Sequence, residues 1–126
     1  MVKKKPTFGE IYPQFKAFIG DSILMAHNAP FDVRFIRAEV ERAAQPMPGN
    51  AVLDALKLFR VWYPEASSHR IGALADLIGL KPDEELHRGD VDAEVTGLIL
   101  IDGINRHPNV KTLRHLLGDA GGTLAF

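Results

Sequence analysis

Two short apolar runs, at residues 22–26 and 51–53, are each followed directly by a helical pattern, and this alternation limits the fold more than any other feature. Strands that are separated by a single helix run parallel and connect by right-handed crossovers. The sequence therefore predicts an α/β fold with short parallel strands and flanking helices. With 126 residues, 46% of them hydrophobic, the chain has enough material for one domain with a real core.

The helices are predicted from apolar spacing and from capping residues. Thr7 and Glu10 form a capping-box pattern before the first helix, which Gly20 is expected to end. Further helices are predicted at 32–44, at 54–62, after a cap at Ser67 or Ser68, and at 90–101. Near the C-terminus we predict a helix at 110–117, capped by Asn109, with glycines beyond it that suggest fraying.

Composition excludes several classes of protein. The net charge of −1 gives no general attraction to nucleic acid, so any such contact needs a local patch. The absence of cysteine excludes disulfides and thiolate metal sites, and it fits a cytoplasmic protein. No apolar run is long enough to span a membrane, and no signal peptide is visible. We therefore expect a cytoplasmic protein that does not contact membranes.

Two polar stretches lie at predicted element ends. His27-Asn28-Ala29-Pro30-Phe31-Asp32 closes the first strand and opens a helix, and His87-Arg88-Gly89-Asp90-Val91-Asp92 stands at the start of a later helix. Each stretch delivers one carboxylate, that of Asp32 or Asp92, to a position that solvent can reach. The pair looks like half of a metal-dependent nuclease site.

These stretches resemble the second and third motifs of the DEDDh 3′–5′ exonucleases, the DnaQ-like proofreading family with a ribonuclease-H-like fold. The matching residues are His27, Asn28, Phe31 and Asp32 in the second motif, and His87 and Asp92 in the third. Gly89 stands where the family's third motif has alanine. The resemblance runs from about Pro6 to about Gly103, and both motifs occur in the family's order.

The family's first motif, Asp-x-Glu at the end of an apolar strand, has no counterpart in the sequence. The resemblance therefore implies a truncated ribonuclease-H-like fold without its three N-terminal strands. We expect a partial exonuclease domain at residues 1–103 and a C-terminal tail at 104–126. The missing strands would leave an apolar strand edge facing water, and we expect a second copy or another subunit to cover it.

The resemblance also implies a chemistry, which is two-metal hydrolysis of phosphodiesters at the 3′ end of single-stranded nucleic acid with Mg²⁺ or Mn²⁺. It assigns metal binding to Asp32 and Asp92, general base catalysis to His87, and substrate binding to His27, Asn28 and Phe31. Because two of the family's four carboxylates are missing, we expect metal binding to be weak or absent and the isolated chain to be inactive.

Each of these residues also has a structural interpretation. Asp32 and Asp92 could stabilise the first turns of helices, His27 could satisfy backbone groups at a strand end, and Phe31 could anchor the core. Three hypotheses about function follow. The chain is part of an exonuclease whose first motif comes from elsewhere, or a non-catalytic module that binds nucleic acid or protein, or a truncated piece of a longer enzyme.

Overall fold

A computed structural model describes residues 5–80 and 89–126 of the chain. Within these residues, helices and strands alternate as the sequence predicts. The elements are α1 (Phe8–Ile19), β1 (Leu24–Ala26), α2 (Ala29–Arg42), β2 (Val52–Asp54), α3 (Ala55–Trp62), α4 (Ile71–Leu77), α5 (Gly89–Arg106) and α6 (Leu113–Asp119). No helix in this part of the chain is long and apolar enough to cross a membrane. The cytoplasmic location stays a prediction.

The two strands pair in parallel and form the sheet of the described residues, which confirms the predicted α/β class. Leu24 pairs with Val52, and Ala26 pairs with Asp54. Because parallel strands end at the same edge of a sheet, the turns that start α2 and α3 lie side by side. This edge brings the second-motif residues next to the end of β2.

Helix α1 begins as predicted. The Glu10 backbone N–H donates to Thr7 Oγ1, and the Thr7 N–H donates to Glu10 Oε2, so both halves of the capping box are present. Tyr12 and Ile19 are the buried residues of this helix. Three more of its large apolar side chains are exposed, at 46% for Ile11, 37% for Phe15 and 89% for Phe18, whereas Phe8 is half-buried. Helix α1 therefore has a free apolar face.

Three helix starts differ from the sequence prediction. Helix α2 begins at Ala29, three residues before the predicted start at Asp32. Helix α4 begins at Ile71 with Arg70 at its N-cap and without a side-chain cap, so the prediction of a serine cap was wrong. Helix α6 begins at Leu113 because the Thr112 side chain accepts from the His115 N–H. It therefore spans residues 113–119 instead of 110–117, and Asn109 is not its cap.

The C-terminal segment packs on the rest of the molecule. The Val52 N–H donates to Leu124 O at 2.8 Å, and the Leu124 N–H donates to Val52 O at 2.7 Å, which makes an antiparallel bridge on the outer edge of β2. Ala120 is 2% exposed and belongs to the main core. The predicted fraying beyond α6 was wrong, because these backbone bonds hold the segment against β2.

Tyr63 connects the end of α3 to α5 inside the core. Its hydroxyl group lies 2.9 Å from Ile99 O and 2.8 Å from Asp102 Oδ2. Arg106 Nε donates to the same Asp102 oxygen at 2.7 Å. Burial raises the pKa of the Tyr63 hydroxyl well above its usual value, and the Asp102 carboxylate acts in the same direction. The folded chain therefore holds Tyr63 in its neutral form.

This shift predicts a loss of stability at alkaline pH. Because the Tyr63 pKa is higher in the folded chain than in the unfolded chain (about 10), its contribution to stability is complete below that pH and is lost above it. We expect the free energy of unfolding to fall between about pH 10 and pH 12, and less steeply in Tyr63→Phe. Urea titrations of both proteins across this range measure the two slopes. Equal slopes would show that Tyr63 does not carry the effect.

Candidate active site

A cleft of about 470 Å³ lies at the C-terminal edge of β1. It is lined by Met25, Ala26, His27, Asp32, Ile71, Asp92, Ala93 and Thr96. Three of these are residues that the sequence singled out, namely His27 and Asp32 from the second motif and Asp92 from the third. The fold thus brings together residues that are far apart in the sequence.

Asp32 lies in the first turn of α2 and is half-buried. Burial raises the pKa of the Asp32 carboxyl above its usual value, and the Asp54 carboxylate also raises it, while a backbone hydrogen bond and His27 oppose the shift. The cleft therefore disfavours the charged form of this carboxylate. A cation bound beside Asp32 would offset that cost.

Asp92 reaches the cleft from α5, near the start of that helix. Its side chain is half-buried. One turn further along, Thr96 Oγ1 donates to the Asp92 carbonyl oxygen at 2.7 Å, and Thr96 also lines the cleft. Thr96 was not among the residues that the sequence motifs indicated, and its position one helical turn after Asp92 is the signal that could have identified it.

His27 lines the cleft, and its ring makes a hydrogen bond to the backbone of His69. Its Nε2 donates to the His69 carbonyl oxygen at 2.6 Å. Since a carbonyl oxygen can only accept, this bond assigns the proton to Nε2. The ring also lies 6.4 Å from the Phe59 ring, measured between centroids. His27 therefore has a structural role as well as a place in the cleft.

Asn28 forms the turn between β1 and α2 with its backbone in the left-handed region, at φ 67° and ψ 54°. Its N–H donates to Asp54 Oδ1 at 3.2 Å, and its side chain makes no capping bond to α2. Phe31 is 61% exposed, so the interpretation of Phe31 as a core anchor was wrong. The predicted substrate-binding roles of His27, Asn28 and Phe31 stay predictions.

The predicted general base, His87, lies outside the described residues. The arrangement of the remaining site residues is compatible with the roles that the sequence assigned to Asp32 and Asp92. Both carboxylates lie on one cleft, and both are placed by the first turns of helices.

The carboxylate oxygens of Asp32 and Asp92 are the type of ligand that hard divalent cations such as Mg²⁺ and Mn²⁺ prefer. Two carboxylates are too few ligands to hold such an ion tightly. Within residues 5–80 and 89–126, no group of three or more acidic, histidine or cysteine side chains could hold a metal ion. Asp32 and Asp92 would therefore need further acidic ligands to hold such an ion tightly.

Comparison with known proteins decides the family. The family model described as Exonuclease matches residues 1–100, which is most of the chain. The chain belongs to the exonuclease family. The exonuclease family generally uses divalent metal ions. Membership confirms the family that the two motifs indicated, and it places the two-stranded sheet within a truncated ribonuclease-H-like fold.

Several curated relatives are similar to this exonuclease-family chain. It is 39% identical over 103 residues to DNA polymerase III PolC-type of Halalkalibacterium halodurans, covering 79% of this chain and 7% of the relative. It is 31% identical over 121 residues to 3'-5' exonuclease DinG of Bacillus subtilis, covering 92% of this chain and 13% of the relative. The chain thus spans a small part of these much longer proteins. No solved structure matches it.

Proposed function

We propose that this chain is part of a 3′–5′ exonuclease that hydrolyses phosphodiesters at the 3′ end of single-stranded nucleic acid. The observation that carries the proposal is that Asp32, Asp92 and His27 line one cleft. The similarity to DinG and to PolC-type polymerases supports the same activity. In this proposal Asp32 and Asp92 supply two of the carboxylates that hold Mg²⁺ or Mn²⁺.

The residues of the cleft would act together on a bound 3′ end. The bound metal ions would supply Lewis acidity at the scissile phosphate. His87 would accept the proton of the attacking water, because imidazole has a pKa near working pH. Asn28 and Phe31, which are both exposed beside Asp32, would contact the terminal nucleotide. His27, fixed by its bond to the His69 carbonyl, would hold one wall of the cleft.

Further carboxylates have to join Asp32 and Asp92 in the active assembly. Among the described residues, β1 pairs on one edge with β2 and has no second strand beside it. A strand from another segment, a second copy or another subunit could pair there and deliver an Asp-x-Glu motif to the cleft. The free apolar face of α1 and the exposed Ile23, at 39%, are surfaces that such a partner would cover.

The isolated chain should therefore have little or no nuclease activity. We expect a 5′-fluorescent single-stranded oligonucleotide to stay intact during incubation with the chain and Mg²⁺ or Mn²⁺, because two acidic ligands hold these ions weakly. Gel electrophoresis of timed samples measures the loss from the 3′ end. Robust trimming that disappears in Asp92→Asn would show that the chain already contains a complete set of acidic ligands.

A matched pair of peptides tests the need for a partner strand. A strand-forming peptide that carries Asp-x-Glu should restore trimming when added to the chain, whereas the same peptide with Asn-x-Gln should not. If neither peptide restores trimming but the chain retains single-stranded nucleic acid at low salt, the exonuclease proposal fails in favour of a non-catalytic binding module. Retention that is unchanged by His87→Ala would strengthen that second conclusion.

A further inference from the structure

Asp54 makes an unusual set of hydrogen bonds between the two parallel strand ends. One oxygen, Oδ1, accepts from the Asn28 N–H and the Ala29 N–H at 3.2 Å each, and from the Leu56 N–H at 3.1 Å. Asp54 is 6% exposed. Nothing in the proposed chemistry uses this carboxylate, and its oxygen is occupied by backbone donors.

These bonds reach the start of two helices at once. Asp54 is the N-cap of α3, and the Leu56 bond is an ordinary capping bond within that helix. The other two bonds go to Asn28, which is the N-cap of α2, and to Ala29, its first residue. The Asn28 side chain itself makes no capping bond. The positive ends of both helix dipoles therefore meet at one buried carboxylate.

The bonds to the start of α2 influence the placement of Asp32, a proposed metal ligand. Asn28 has the left-handed conformation that asparagine adopts more readily than most other residues, and the bond from its N–H to Asp54 Oδ1 ties this turn to β2. Asp32 lies one helical turn after this point, in the first turn of α2. The direction in which Asp32 enters the cleft thus depends on how the Asn28–Ala29 backbone is held.

We propose that Asp54 is a positioning residue, which clamps the start of α2 from the neighbouring strand and so directs Asp32 toward Asp92. This inference rests on the proposed function, because it concerns the placement of a proposed metal ligand. Asp54 itself does not touch the metal or the substrate. Its action passes through the backbone N–H groups of Asn28 and Ala29.

A serine at position 54 separates the two roles of the carboxylate. Asp54→Ser keeps a good N-cap for the Leu56 N–H, but its oxygen is one bond closer to the backbone and loses Asn28 and Ala29. Asp54→Asn keeps the size and the acceptor oxygen of aspartate. Asp119→Ser is the matched control. It removes a carboxylate that accepts a hydrogen bond from Trp62 Nε1 and that does not line the cleft.

Hydrogen exchange and Mn²⁺ binding are measured on all four proteins. In Asp54→Ser, we expect the amides of Asn28 and Ala29 to exchange faster while that of Leu56 stays protected, and Mn²⁺ to bind about tenfold more weakly by electron paramagnetic resonance. Asp54→Asn and Asp119→Ser should bind Mn²⁺ within about twofold of the original chain.

Two results would overturn the inference: unchanged exchange at Asn28 and Ala29 in Asp54→Ser, or Mn²⁺ binding that weakens equally in Asp54→Ser and Asp119→Ser. The second would mean that the loss follows general destabilisation. If Mn²⁺ binds at this cleft neither in the original chain nor in its complex with the Asp-x-Glu peptide, the proposed function fails instead. The exchange rates would then still decide whether Asp54 clamps the start of α2.

Discussion

Replacing Gly103 with alanine should destabilise the protein strongly. A Cβ atom at this position would overlap Trp62 Cε3, and it would lie 2.7 Å from Trp62 Cζ3 and 3.2 Å from the Tyr63 hydroxyl oxygen. Trp62 has no room to move, because it is 2% exposed and its Nε1 donates to Asp119 Oδ2. Overpacking of this severity costs about 3 kcal/mol, which corresponds to a fall in Tm of roughly 10 °C.

Gly97 provides the matched control in the same helix. A Cβ atom there would meet no other atom within 4 Å, so Gly97→Ala should stabilise α5 by about 0.5–1 kcal/mol. Because Trp62 is the single tryptophan of the chain, its fluorescence reports both unfolding and its own packing. An equal Tm for Gly103→Ala and the original chain would show that Trp62 does not pack against α5 at this point.

The second large effect concerns activity in the complemented assembly. Once a partner strand restores trimming, Asp32→Asn and Asp92→Asn should each lower the rate by at least about 100-fold, because each removes a charged ligand from a shared site. The double variant should be little worse than either single variant, since residues that act as a unit are not additive. Initial rates on the labelled oligonucleotide measure all three.

Asp76→Asn is a suitable control for these rates. Asp76 is an exposed carboxylate on α4, and it does not line the cleft, although Ile71 at the start of the same helix does. Its removal changes the net charge by the same amount as the other two substitutions. If all three variants lost activity alike, the effect would come from overall charge instead of from the cleft.

The order of elements could be predicted because local signals agree with the fold. The apolar run before His27 and the capping pair Thr7 and Glu10 act over a few residues, and both have their predicted place in the structure. The family resemblance then connected Asp32 with Asp92. Their approach in one cleft depends on the position of α5 beside the end of β1, and the family resemblance implied this arrangement.

Other features depend on contacts that are distant in the sequence, and no local pattern could supply them. Asp54 was visible only as a residue between a strand and a helix, while its bonds to Asn28 and Ala29 come from the pairing of β1 with β2. Leu124 pairs with Val52 of β2, although the two residues are far apart in the sequence. The exposure of Phe31 likewise follows from which face of α2 packs inward.

The most direct test of the account is where Mn²⁺ binds on the chain. Paramagnetic broadening of backbone amide signals during a Mn²⁺ titration maps the site without requiring activity. If Asp32 and Asp92 share a metal site, the first signals to broaden are those around Ala26–Asp32 and Asp92–Thr96, and Asp32→Asn removes the effect at both segments together. Broadening that begins elsewhere, or that persists around Asp92 after Asp32→Asn, would contradict a shared metal site.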